Sequence, residues 1–294
     1  MASIDLAQPT SRHVREPEDR VRLSRWSSRS SIVLMGMVGL IGVAILIGPY
    51  LWAASPTDQN AAMRLQGPSL EHPLGTDQYG RDTAARILLG GRWTLLGAGF
   101  VTLGVTLIGL AVAALATSGF RWVDRILGRL VDSFLAIPNL VIALAVAAVL
   151  GPSFTNLIIA LVVAGWPWYA RAYRAAMLRE RASGYVEGAE AIGASRSRIA
   201  FRHVGPNVFG QVLVLATTNL GFVILNLAAL SFIGLGVQPP TPEWGSMINE
   251  ARPFFQTHPG QMLVPGICIV LTVVLINLSG DALRDHLDPR LRGR

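Results

Sequence analysis

Five long stretches without a single charged side chain divide this 294-residue chain, at 30–57, 93–120, 133–170, 203–242 and 253–280. An α-helix needs about 20 apolar residues to cross the hydrocarbon core of a bilayer, and it satisfies its own backbone hydrogen bonds there. The runs beginning at 30, 93 and 253 each accommodate one crossing. The 133–170 run has room for two, with Gly151-Pro152 as a turn near its middle. In the 203–242 run, Val212 to Leu230 forms one apolar helix. The glycines and prolines of 230–240 then predict a helix that ends and dips irregularly under protein cover. The expected fold is all-α and integral to the membrane. Its six transmembrane helices fall near 31–53, 94–117, 133–150, 155–171, 209–230 and 262–279.

Charge placement orients them. With both termini cytoplasmic, the N-terminus, the loops near 120–132 and 171–206 and the C-terminus hold 20 arginines and 12 acids. The external loops hold five and six. Basic residues collect in cytoplasmic loops, so N-in/C-in is expected, and a seventh crossing would carry the Arg-rich C-terminus outside. The six arginines before the first apolar run imitate a secretory signal, but that run is longer than a cleavable apolar core, which points to a retained anchor. The chain divides into a cytoplasmic tail (1–30), a first helix with external loop and interfacial helix (31–92), and a five-helix core (93–294) with a cytoplasmic loop at 172–207.

Composition excludes several functions. All 25 basic residues are arginine, so the chain has no Walker A lysine and no Schiff-base lysine. The arginines follow topology instead of forming one basic face, which argues against nucleic acid despite a pI near 10.6. The five histidines lack ligand-like spacing, and the lone Cys268 sits in the last apolar run as a small hydrophobe. No catalytic constellation or metal site is expected.

The segment Tyr185–Asn207 is charged and helix-forming between apolar runs. Ser183-Gly184 breaks the chain before it, and Tyr185, Ala189 and Ile192 form one helical stripe. Glu187 lies in the first turn, where the helix dipole favours an acid, and Gly193 suits the left-handed position that ends a helix. Ser195 can cap a second short helix, and Pro206 restarts the chain into the fifth crossing. The result is a helix–glycine–helix knob, with small Gly188 and Ala189 permitting close approach of a partner.

Outside, the 72–92 segment reads as a turn, with Gly75 and Gly80, followed by a helix favoured at its start by Asp82. It is either an interfacial connector anchored by Ile87, Leu88 and Trp93 or a contact for a partner. Within the fifth crossing, Gln211, Thr217, Thr218, Asn219 and Asn226 need partners or water, and Asn139 adds an amide on the third helix. Singly, each reads more readily as interhelical glue; as a set they mark a translocation face.

Glu187, Ala189, Gly193 and Pro206 match in register the EAA loop of ABC-transporter permeases of the type I importer class, which this segment resembles. Gly188 replaces an alanine, and His203 and Gly205 replace the isoleucine and leucine of that pattern. The run His203–Asn207 looks like the variant of peptide-transporter permeases. Residues 72–82, 230–240 with Glu243-Trp244-Gly245, and 280–290 are similar to the "C" subunit type of the dipeptide, oligopeptide and nickel permeases.

The resemblance implies the type I importer permease fold and a transport subunit, not an enzyme, moving peptides across the bacterial cell membrane. It implies a heterodimer with a second permease, and two ABC ATPase subunits that carry ATP and Mg and dock on Tyr185, Glu187, Gly188, Ala189, Ile192, Gly193 and Pro206. An extracytoplasmic substrate-binding protein would then meet Asp77, Tyr79, Arg81, Asp82 and Trp244. Nickel or another small solute is the alternative cargo. An ion-gradient-driven transporter is a rival, but the six proposed crossings hold no Asp, Glu or His. A scaffold protein using the Arg-rich loop to hold a regulator is another.

Overall fold

A computed structural model describes residues 28–287. The predicted N-terminal tail, up to residue 27, and the last part of the C-terminal motif, from residue 288, lie outside the described residues. The regular elements of the described chain are helices: α1 (Ser28–Leu51), α2 (Thr83–Ala116), α3 (Arg121–Leu135), α4 (Asn139–Leu150) and α5 (Phe154–Arg181) come first. They are followed by α6 (Gly184–Ala191), α7 (Arg196–Arg198), α8 (Gly205–Phe232), α9 (Trp244–Ala251) and α10 (Gly260–Leu287). A π-helical turn, Ile199–Val204, joins α7 to α8.

By length and composition, three described helices can cross a membrane: α2, the π turn with α8, and α10. The α3–α4 pair makes a fourth if it is counted as one span bent by 86°. The six-crossing count is therefore not reproduced. The apolar part of α1, Gly36–Leu51, is shorter, and α5 passes from apolar residues into Arg171, Arg174, Arg179 and Arg181. The expected crossing at 133–150 is broken at Ala136–Pro138, and the expected loop at 120–132 is the amphipathic α3. A 12-residue α4 rises only about 18 Å, too little for the hydrocarbon core alone. The Asp124 carboxylate takes two bonds from Arg174, both 2.7 Å, and Asp132 pairs with Arg171, so α3 is tied along α5.

Small residues set the helix spacing. α2 and α5 run parallel: Trp93 meets Phe154 edge-on at 4.9 Å, and Thr117 lies against Met177 at the other end. A Cβ at Gly109 would stand 2.9 Å from the Ala170 backbone nitrogen, so only glycine admits this approach. Between apolar helices in lipid, such close backbone packing replaces the hydrophobic drive available in water. α8 and α10 pack antiparallel, with Gly221 facing Asn277 and Gly280 facing Thr218.

The interfacial helix expected after residue 82 is continuous with the crossing, as one 34-residue α2. Asp82 does cap it, accepting from the Ala85 N–H at 2.6 Å. After α8 the chain turns at Gly234 and re-enters as α9, which packs against α2, α8 and α10. This is the shielded dip expected after residue 230. Glu243 caps α9 while fully buried, accepting from the Gly245 and Ser246 N–H groups and from the Thr94 hydroxyl. Burial pushes its carboxyl above the ordinary value, against the pull of these donors. Gly245 sits so close that a Cβ would lie 2.4 Å from the Ala228 carbonyl oxygen. Gly245→Ala is accordingly expected to leave no folded permease on gel filtration in mild detergent, whereas Gly99→Ala, with nothing within 4 Å, folds normally.

Candidate coupling elbow and translocation cleft

The bundle has two functional ends. One holds the loop 53–82, the start of α2 and α9; the other holds α6 and the turn into α8. The parallel course of α2 and α5 separates them by the length of these helices.

At the α6 end, the Ser183–Gly184 break, the helix and its terminus form as expected. Gly193 has φ +83°, the left-handed conformation that glycine adopts freely. Ser195 Oγ accepts from the Arg198 N–H at 3.3 Å. Tyr185 and Ile192, expected on a docking face, are exposed, Ile192 by 87%, while Ala189 of the same stripe is buried beside Val186. One expectation needs correction. Pro206 does not restart the chain, because it lies in the first turn of α8, which continues the π turn without interruption. Glu187, Gly188 and Gly193 are all exposed, and a Cβ at Gly188 would meet nothing within 4 Å. The sequence reading missed Phe201, which is 84% exposed in the π turn. An aromatic set between Arg198 and Arg202 in a charged loop was the available signal.

Between the ends lies a cleft of about 400 Å3 formed by α2, α5, α8 and the α3–α4 bend. It brings together Asn139, Asn219 and Asn226 with Phe134, Trp168 and Tyr169. The Asn219 and Asn226 amide nitrogens donate back to Leu215 and Phe222 carbonyls, which leaves each amide oxygen as an acceptor. Thr217 and Thr218 do not join this set. Their hydroxyls donate to carbonyls of their own helix, at 3.0 and 2.8 Å, and Thr218 packs on α10. Gln211 accepts from Arg179 at 3.4 Å, off the cleft.

At the opposite end, four of the five residues expected to meet a partner are turned inward. Arg81 is 1% exposed and donates to Asp77 at 2.6 Å and to Glu250 at 2.7 Å. Arg86, equally buried, reaches the same two carboxylates. Asp82 accepts from Trp52 and lies 2.7 Å from His72, while the Trp244 indole donates to the Ile87 carbonyl. Their work is to hold the 53–82 loop onto α9 and α2. Tyr79 alone stays substantially exposed, stacked 4.6 Å from the Arg81 guanidinium. Glu250 and Arg86 were not foreseen, since their pairing joins residues 164 apart in sequence.

Residues 105–293 match the family model for the binding-protein-dependent transport system inner membrane component. The chain belongs to this permease family. The permease is 36% identical to the dipeptide transport system permease protein DppC of Alkalihalophilus pseudofirmus, over 94% of each chain. It is 37% identical to the nickel transport system permease protein NikC of Escherichia coli, over 91% of this chain and 96% of the relative. It is 40% identical to the glutathione transport system permease protein GsiD of Pectobacterium atrosepticum, over 77% and 75%. It is therefore an inner-membrane ABC importer permease of the dipeptide, nickel and glutathione type. Its fold is similar to that of the inward-facing MetNI methionine ABC transporter, with a TM-score of 0.58 at 20% identity, covering 69% of this chain and 96% of that one. An amino acid ABC transporter with histidines gives 0.57 at 17%, covering 68% and 94%. The likeness is to the type I importer permease fold.

Proposed function

We propose that this permease carries peptides, forming half of the translocation path beside a second permease chain. Two ABC ATPase subunits, holding ATP and Mg, dock on the elbow of residues 185–193 from the cytoplasm. A substrate-binding protein docks at the opposite end, where Tyr79 is the exposed contact. ATP-driven closure of the ATPases displaces α6, and the helices rock to open the cleft to one side at a time. By linkage, loaded binding protein outside favours ATPase closure inside.

The observation that carries this reading is the elbow itself. Glu187, Gly188 and Ile192 are presented to solvent on a helix that ends at a left-handed glycine, with α8 leading directly from it to the cleft. Ile192, 87% exposed among the charged residues of the elbow, with Phe201 84% exposed in the π turn, supports a partner surface here. Peptide cargo is supported by the DppC relative, aligned over nearly the whole chain, and by the cleft amides of Asn139, Asn219 and Asn226, which suit a peptide backbone. Nickel and glutathione, named in other relatives, are the alternative cargoes.

Growth of a peptide auxotroph on defined dipeptides and oligopeptides decides the cargo: rescue supports peptides, and failure beside restored nickel or glutathione uptake overturns them. Co-purification in mild detergent tests the assembly. Glu187→Arg and Gly193→Pro are expected to leave membrane insertion intact and abolish uptake, because one reverses charge on the docking face and the other forbids φ +83°. Wild-type uptake in either variant would remove the docking role.

A further inference from the structure

We propose that the Tyr185 hydroxyl is the positioning link that makes α6 and α8 move as one body, an inference that rests on the coupling reading above. An eight-residue helix anchored by only two buried side chains, Val186 and Ala189, has little to keep it from sliding over its neighbours. Apolar contacts resist separation but not sliding; directional hydrogen bonds resist both. The Tyr185 hydroxyl supplies these bonds to two other helices at once. It donates to Glu180 Oε1 at 2.5 Å, in the last turn of α5, and accepts from the Asn207 side-chain nitrogen at 2.7 Å, in the first turn of α8. Asn207 also donates to the His203 carbonyl at 2.9 Å, so the π turn between the elbow and α8 is held by the same side chain.

α8 then runs without interruption from Asn207 to the cleft residues Asn219 and Asn226. Twelve residues at the helical rise separate Asn207 from Asn219, about 18 Å. A displacement of α6 thus passes through the Tyr185 hydroxyl, chiefly by the Asn207 amide and in part by the His203 carbonyl 3.2 Å away, into the helix that lines the cleft. In the absence of the hydroxyl, α6 would yield locally and α8 would stay where it was. Neither side chain touches the cleft, so their role is positional.

The test uses the whole complex, co-expressed with its ATPases and second permease, and a readout independent of cargo. Asn226→Cys, in a Cys268→Ser background, reports accessibility of the cleft to a thiol reagent with and without ATP plus vanadate. With the native elbow, nucleotide is expected to change the labelling rate about tenfold. Tyr185→Phe and Asn207→Ala should each reduce that response to about twofold, and the double variant should lose no more than either single one. Glu180→Gln, which keeps an acceptor oxygen, should lose less than Glu180→Ala. An undiminished response in Tyr185→Phe overturns the link, as does a double variant whose losses multiply. If the native elbow shows no nucleotide response although the ATPases co-purify, the coupling reading fails and takes the link with it.

Discussion

Glu250→Ala will lower the thermal midpoint of the purified permease by about 10 °C, corresponding to a loss of about 3–5 kcal/mol. Glu250 Oε2 accepts from Arg81 at 2.7 Å and from Arg86 at 3.1 Å, and both guanidiniums are almost completely buried. Removing the carboxylate leaves two buried cations sharing Asp77 alone, at 2.6 and 3.3 Å. The Coulomb attraction that offset their desolvation is halved, and their mutual repulsion remains. Because the four groups act as one network, Glu250→Ala combined with Arg86→Met should cost less than the sum of the two single changes. Thermal scans followed by gel filtration measure both. A midpoint unchanged in Glu250→Ala would mean that the 53–82 loop is held by its backbone bonds, among them Asp77 N–H to the Arg81 carbonyl, and not by the buried charges.

This cluster also shows where the sequence stopped being legible. Reading charge as a marker of loops located the apolar runs, because crossing a bilayer demands little more than hydropathy and length. The same rule misplaced boundaries where charges lie inside helices. Arg92 lies in α2 ahead of the expected crossing, and Asp124 and Asp132 lie in α3, paired with Arg174 and Arg171 of α5. The bend at Ala136–Pro138 falls inside an uncharged run, so charge could not reveal it. Local backbone chemistry was readable: Asp82, Gly193 and Ser195 do what their residue types predict, since capping and left-handed φ depend on a few neighbouring atoms. Facing directions were not. Within the stripe of Tyr185, Ala189 and Ile192, the first and last are exposed while Ala189 turns inward beside Val186, a difference that helical spacing alone does not make. In the cleft, three asparagines converge across helices far apart in sequence, whereas the threonines satisfy themselves within α8.

Ile192→Asp and Phe201→Asp will each weaken retention of the ATPase subunits about 30-fold, and together they will reduce uptake to background, with permease abundance in the membrane unchanged. The two side chains are 87% and 84% exposed, so neither contributes to the packing of this chain, and a charge at either site costs the isolated permease almost nothing. Large exposed apolar groups at the centre of a contact typically contribute about 2 kcal/mol or more to association, which sets the fold-change. A buried aspartate inside the docked interface adds an unpaired charge to the lost contact. Gly188 supplies the opposing control within the same elbow. A Cβ there meets nothing in the permease, so Gly188→Ala should be tolerated. Gly188→Trp, equally harmless to the free chain, should block docking by bulk alone. Quantitative co-purification from membranes separates these outcomes. Should Ile192→Asp and Phe201→Asp both retain the ATPases at wild-type ratio, the exposed apolar pair faces something else, and the elbow must be held through its polar residues and backbone.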